Sequence, residues 1–425
     1  MLDQKKSIWA WALYDWANSA FVCTVVAGFF PVFFKQYWAG GVDPKTSTFL
    51  LGSVNSAASL ILAVFGPFLG AIADRGSAKK KFLFVFAYLG VIMTGCLWLV
   101  NQGNWGFAML FYIISSLGFF GGNIFYDSLL PAVASKEKCS FVSSLGYAMG
   151  YIGGGLLFLV NVLMYQQPSW FGIADGPTAI RISFLTVAVW WAVFSIPVFL
   201  FVKEPENYEP TPLYKAIGSG WQQLINTLKE IRQLKVVVLF VIAYWLYIDG
   251  VDTVIKMAVD YGASLNFPTS SLITALLIVQ FIAFPSALVY NWIGSKIGTK
   301  KAILMGIIGY SFIVLLGYFM SKVWHFYFLA VLVALFQGGI QALSRSLYTR
   351  IIPANKSGEF FGFYNLLGKF ASIIGPVLMG SVTLLTGNIR IGILSILVLF
   401  ILGGFMLMKV DVAEGERIAE EYLTK

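Results

Sequence analysis

Charge is what this chain has least of. Asp, Glu, Lys and Arg make up 12 % of its 425 residues while hydrophobic residues make up 58 %, against about 25 % and 45–50 % in soluble proteins. A chain so poor in polar side chains, with a mean hydropathy of +0.79, cannot clothe a water-soluble globule, which excludes soluble enzymes and disordered hubs. Histidine is represented by His325 alone, and Cys23, Cys96 and Cys139 stand at unrelated spacings. Neither a disulfide framework nor a metal-ligand set can be built from them. Strand-type alternation is missing, which argues against a β-barrel. A phosphate-binding loop fails on inspection: Gly362 to Gly368-Lys369 has five intervening residues instead of four, and Phe370 follows where Ser or Thr is required. No ATPase, cofactor or metal is called for, and no enzyme is expected.

What is there instead is length without charge. Apolar stretches long enough to cross a hydrocarbon core of about 30 Å recur twelve times, at 8–36, 48–73, 82–101, 105–130, 141–166, 180–202, 236–258, 270–293, 300–320, 325–351, 359–386 and 390–409. They are numbered here as the first to twelfth spans. The expected fold is therefore an all-α membrane protein of twelve transmembrane helices. Its divisions are an N-terminal six-helix half (1–202), a linker (203–235), a C-terminal six-helix half (236–409) and a short acidic tail (410–425), read as a solvated helix end. Within the linker, Leu224, Ile225, Leu228 and Ile231 recur at helical spacing with charges between them, the pattern of an amphipathic helix lying on a membrane surface.

The net charge of +9 comes from 29 Lys and Arg against 20 Asp and Glu. Of the 29, 21 fall in alternate loops and the termini, five (Lys35, Lys45, Arg181, Lys322, Arg390) in the opposite loops and three inside spans. That bias is the positive-inside signature, so both termini are expected in the cytoplasm and the basic balance reports orientation. A basic stripe interleaved with aromatics, as nucleic-acid binding needs, is absent. The partners expected are the lipid bilayer, a small-molecule substrate and protons.

The two halves repeat each other. Asp15-x-x-Asn18-Ser19 in the first span is matched by Asp249-x-x-Asp252-Thr253 in the seventh. Gly121-Gly122 is matched by Gly338-Gly339, Pro131 by Pro353, and the glycines at 146–153 by those at 368–375. Twelve spans in two equivalent halves is a transporter architecture.

Longer motifs carry a resemblance. The loop Gly70-Ala-Ile-Ala-Asp74-Arg75-Gly76-Ser-Ala-Lys79-Lys80-Lys81 resembles the G-x-x-x-D-R-x-G-R-K motif of the major facilitator superfamily. A weaker second copy, at Gly294 to Lys301, has Ser295 in place of the Asp. The stretches Trp9–Ala20, Ser144–Gly154 and Phe336–Ser346, with Glu359–Tyr364 and Asp249-Gly250-Val251, are similar to the vacuole-effluxer branch of that superfamily. That branch holds fungal vacuolar amino-acid effluxers and bacterial relatives, and the short loops look bacterial. The resemblance implies a secondary transporter of a small polar solute in a bacterial inner membrane, with amino acids the leading class. It also implies a central cavity lined by the first, fourth, seventh and tenth spans, and a conformational role for the Asp74-Arg75 loop. Asp74 would sit near the start of the eleventh span, with Arg75 within reach of Asp127.

Charges inside spans are expensive, about 2.5–3.5 kcal/mol each at mid-bilayer on insertion scales, so each needs a reason. In the seventh span Trp245, Asp249, Asp252 and Lys256 share one helical face, with Asp249 about 20 Å along the helix. Asp15 and Asn18 are their repeat partners and are expected to face them across the pseudo-twofold axis, binding a cation, an amine or a proton. The alternative is structural: Asp252 and Lys256 neutralise each other, and Asp15 caps a helix break. The tenth span offers Gln337, Gln341 and Arg345 on one stripe. Arg345 either clamps a substrate carboxylate bidentately or closes a gate with Asp127. Lys369 lies about 15 Å into the eleventh span and needs a carboxylate, either from the substrate or from Asp15 or Asp249. Two other functions stay open: export of amphipathic drugs or metabolites using the aromatics, and a non-transporting receptor or scaffold.

Overall fold

The protein is described by a computed structural model over residues 2–42, 46, 50, 61, 68–74, 77–204 and 234–421, without the side chains of 260, 263, 269, 366, 367 and 369–373. Most of the second span, Arg75 and nearly all of the linker, including its expected amphipathic helix, lie outside the described residues. Among the described residues the secondary structure is helical throughout.

Among the described residues, ten helices are long and apolar enough to cross a membrane: Lys5–Trp38, Lys79–Leu99, Trp105–Val133, Cys139–Gln166, Gly176–Phe201, Lys235–Val259, Ser270–Ile297, Thr299–Tyr318, Val323–Ile351 and Ile389–Met408. They correspond to the first, third to tenth and twelfth spans. The eleventh is the helix Ser357–Thr386, whose apolar stretch is the shorter Ile374–Thr386. Large apolar side chains such as Phe107, Ile308 and Leu402 remain exposed along these helices, as suits surfaces that meet lipid tails.

The first span is not a plain α-helix. After Ala20 it widens into π-helix over Phe21–Phe29, and again over Phe34–Trp38. Such widening is frequent at functional sites, and here it falls where Val22, Cys23 and Ala27 line the central cavity.

The buried apolar residues gather in two large clusters, one within residues 8–202 and one within 234–410. A small third cluster, Tyr151, Ala283 and Ala334, lies where the halves meet. The two chain ends share one face: Asp3 pairs with Lys138, and Glu420 with Lys136 at 2.6 Å. We call this the terminal face. The tail is less solvated than its acidity predicts. Val412–Glu421 forms a helix whose Gly415 packs against Ile351 and Val236, and Glu416 pairs with Arg350.

Candidate functional site: a central cavity closed by a charged latch

Between the halves lies a cavity of about 410 Å³, within the range of small-molecule sites. Its floor, toward the terminal face, is made by Asp15, Asp127 and Arg345. Above the floor come Asn18, Asn123, Gln341 and Gln337, with Tyr147 and Tyr151 among them. Higher still the wall turns apolar, through Phe119, Val333 and Leu329 to Met320 and Phe326 at the far ends of their helices.

Arg345 organises the floor. Its Nη1 donates to Asp127 at 3.0 Å and its Nη2 lies 3.5 Å from Asp15. Nε donates to Ser143 Oγ and Nη2 to the Ser143 carbonyl, both at 2.9 Å. The guanidinium also lies over aromatic rings, 4.3 Å from the centroid of Tyr147 and 4.8 Å from that of Trp11, the cation–π arrangement that compensates a desolvated Arg. Tyr126 donates to Asp15 Oδ2 at 2.8 Å, and Asn365 donates to the second oxygen of Asp127 at 3.3 Å. Asn18 donates to Asn123 at 2.8 Å and Tyr151 to Gln341 at 3.0 Å.

A second set of contacts between the halves lies closer to the terminal face. Asp74 accepts from the backbone N–H of Gly358 at 2.9 Å and of Glu359 at 2.8 Å, and pairs with Lys79 at 2.8 Å. The first turn of a helix leaves its N–H groups without intrahelical partners, so a carboxylate from the other half is well placed there. Lys79 donates to Ser357, which donates to the Ser128 carbonyl. Ser140 and Ser346 hydroxyls meet at 2.8 Å, and Ser143 Oγ donates to the Ala342 carbonyl at 2.7 Å. Gly70 and Gly358 allow this approach: a Cβ on Gly70 would sit 2.2 Å from the Gly358 carbonyl oxygen. The cavity is thus shut toward the terminal face and extends toward the opposite one.

Of the residues singled out in the sequence, Asp15, Asn18, Asp127, Gln337, Gln341 and Arg345 come together around the cavity. Asp249, Asp252 and Lys256 are not among its lining residues, which corrects the expectation that the two repeat motifs face each other. Asp249 instead accepts the Gly375 N–H with both oxygens at 3.0 Å, and Thr253 hydroxyl donates to the Asp249 carbonyl at 2.6 Å. Lys256 is exposed and Asp252 half-buried. The seventh span reaches the cavity through Tyr244, Thr253, Val254, Ile255, Met257, Ala258, Val259 and Tyr261, so of its repeat motif Thr253 lines the cavity while the charged stripe does not. Arg345 has four of its five N–H donors engaged by the other half, so in this state it does not present a free fork for bidentate carboxylate binding. The Lys369 side chain and Arg75 lie outside the described residues.

Sequence reasoning missed Asn123, Tyr126, Ser143, Tyr147, Tyr151 and Asn365. Asn123 was findable, one helical turn before Asp127 on the same face. Tyr147 and Tyr151 are spaced likewise, inside a glycine run that reads as packing.

Comparisons with known proteins agree with this architecture. The family described as "Vacuole effluxer Atg22 like" matches residues 3–141 and 134–420. The uncharacterized MFS-type transporter YxiO of Bacillus subtilis is 38 % identical over 397 residues, 93 % of this chain and 92 % of that protein. Autophagy-related protein 22 of Yarrowia lipolytica is 23 % identical, over 89 % of this chain and 78 % of that one. Among solved structures, the proton:xylose symporter XylE superposes with a TM-score of 0.74 at 14 % identity, covering 96 % of this chain and 95 % of its own. The human organic anion transporter MFSD10 superposes with a TM-score of 0.73 at 13 % identity, covering 96 % and 100 %. The chain is an integral membrane protein of the major facilitator fold, and it belongs to the Atg22-like vacuole effluxer family of transporters.

Proposed function

We propose that the protein moves a small polar solute, with amino acids the leading class, by alternating access. The terminal face is taken as cytoplasmic, in a bacterial inner membrane. The observation that carries this reading is a cavity of solute size, closed at one end by polar contacts between the two halves. A scaffold has no use for such a chamber, and contacts of this kind can be exchanged for others when the halves rock. The excess of Lys and Arg in the loops on that face supports the orientation.

Charge bookkeeping at the floor supports an amine-bearing or proton-coupled solute. Asp15 and Asp127 surround the single guanidinium of Arg345, so the ionised trio carries a net charge of minus one, which no ion pair among the described residues offsets. Buried, that charge is costly, and either a proton or a bound ammonium removes the cost. The amino-acid class itself rests on the kinship with the effluxer family. The apolar upper wall favours, as a second reading, export of amphipathic amines.

The test is uptake and efflux of radiolabelled amino acids in proteoliposomes, with and without a proton gradient. Flux that falls at least about tenfold in Asp15→Asn, as loss of a charged hydrogen-bond partner entails, supports the proposal. Absence of flux for every amino acid sinks the amino-acid class, and a drug-resistance phenotype on overexpression would then favour the second reading.

A further inference from the structure

Two acceptors that line the cavity, one at its floor and one above it, have no donor among the described residues. Arg345 spends four of its five N–H groups on Asp127, Asp15 and Ser143. Asp15 is held through Oδ2 alone, by Tyr126 at 2.8 Å and by the longer 3.5 Å contact from Arg345. Oδ1 receives no hydrogen bond from a described residue, and the Asp15 side chain, 14 % exposed, lines the cavity. Gln337, 9 % exposed and lining the same cavity, has an Oε1 without a partner among the described residues. A buried acceptor left unpaired costs about 1–3 kcal/mol, so an orphan of this kind in a ligand-sized cavity calls for a donor. Gln337 stands eight residues before Arg345 on the same helix, about 12 Å nearer the open end.

We propose that Asp15 is the ammonium subsite of the transported solute, that Gln337 takes a second N–H or O–H donor further up, and that the solute needs no carboxylate to bind in this state. This rests on the reading of the protein as a transporter of an amine-bearing solute and narrows it: recognition is by the cation, because the only guanidinium that the described residues place on the floor is already committed to the latch. An ammonium at Asp15 cancels the uncompensated charge of the trio. It also competes with Arg345 for Asp15, the longer and weaker of the two ion pairs that hold the latch. Solute binding and latch release therefore meet on one carboxylate.

The experiment is binding to the purified full-length protein in detergent, by isothermal calorimetry. It uses matched triplets that share a side chain: an amine (phenethylamine), the zwitterion (phenylalanine) and the N-acetylated acid, repeated with the leucine and alanine skeletons. The subsite requires that at least one skeleton bind as amine and as zwitterion with affinities within about tenfold, and that its N-acetylated acid bind at least about tenfold more weakly. Asp15→Asn removes binding of both cations and Asp15→Glu retains it, whereas Gln337→Leu leaves these affinities near native, since none of the probes carries a second donor that far from its ammonium. Equal or tighter binding of the N-acetylated acids, unchanged affinity in a folded Asp15→Asn variant, or no binding by any amine overturns the proposal. The amino-acid proposal fails separately: amine binding without flux of any amino acid leaves the ammonium subsite standing. Amino-acid flux with amines inert does the reverse.

Discussion

Arg345 is a latch because of what guanidinium is. Its planar fork reaches two carboxylates and both polar atoms of Ser143 while its faces cover Tyr147 and Trp11. Lysine, with a point charge and no plane, cannot make that set. Removing one partner of a buried ion pair typically costs about 3–5 kcal/mol, because the other charge is left unpaired. Arg345→Gln is therefore expected to lower the melting temperature in detergent, and Asp127→Asn added to it to restore part of the loss by removing a stranded carboxylate. A native-like melt for Arg345→Gln would show that the trio stabilises nothing. The identity of these residues was legible in the sequence, since Asp15, Asp127 and Arg345 are charges inside spans. Their partnership was only half legible: Asp127 with Arg345 follows from matching depth in the two repeats, whereas Ser143 and Tyr126 are ordinary residues whose roles come from non-local packing.

At the scale of the element, the same pentapeptide pattern serves two ends. Ser19 and Thr253, equivalent in the repeat, each press on a glycine of a neighbouring helix, Gly150 and Gly375. Yet Asp15 is drawn to Arg345 while Asp249 takes the amide of Gly375, one residue before Pro376 in the eleventh span. The repeat predicts the helix packing correctly and the charge partners wrongly, because the orientation of each helix about its own axis decides which side chains meet the cavity. A Cβ on Gly375 would stand 1.9 Å from Thr253 Oγ1, so Gly375→Ala is expected to destabilise by about 1–3 kcal/mol. Thr253→Ala in the same chain should recover part of that in a thermal melt, and failure to do so would place the strain elsewhere. At the other end of this helix Asp74 supplies the partner for two N–H groups of its first turn. Asp74→Ala removes charge-assisted bonds worth about 1.5–3 kcal/mol each, enough to shift a two-state equilibrium by about tenfold or more. The readout is labelling of Ser140→Cys, in a chain whose three native cysteines are replaced by Ser, by a membrane-impermeant thiol reagent. Faster labelling from the terminal face is expected, and an unchanged rate would deny Asp74 any part in closure.

At the scale of the whole molecule, the cross-half polar contacts among the described residues gather at the terminal side while the cavity extends the other way. Composition alone dictated a bilayer protein, and the repeat with the long motifs gave its halves. The conformational state was not legible, because both states of a rocking transporter share one sequence and differ in contacts between residues far apart along it. Alternating access requires those contacts to break in every cycle. Ser140 and Ser346, whose hydroxyls meet at 2.8 Å across the halves, test this directly. In the cysteine-free background, Ser140→Cys with Ser346→Cys should form a disulfide on oxidation. Solute flux in proteoliposomes, measured before oxidation, after it and after reduction, is expected to be present, abolished and restored. Flux that continues undiminished through a fully formed cross-link would contradict the account.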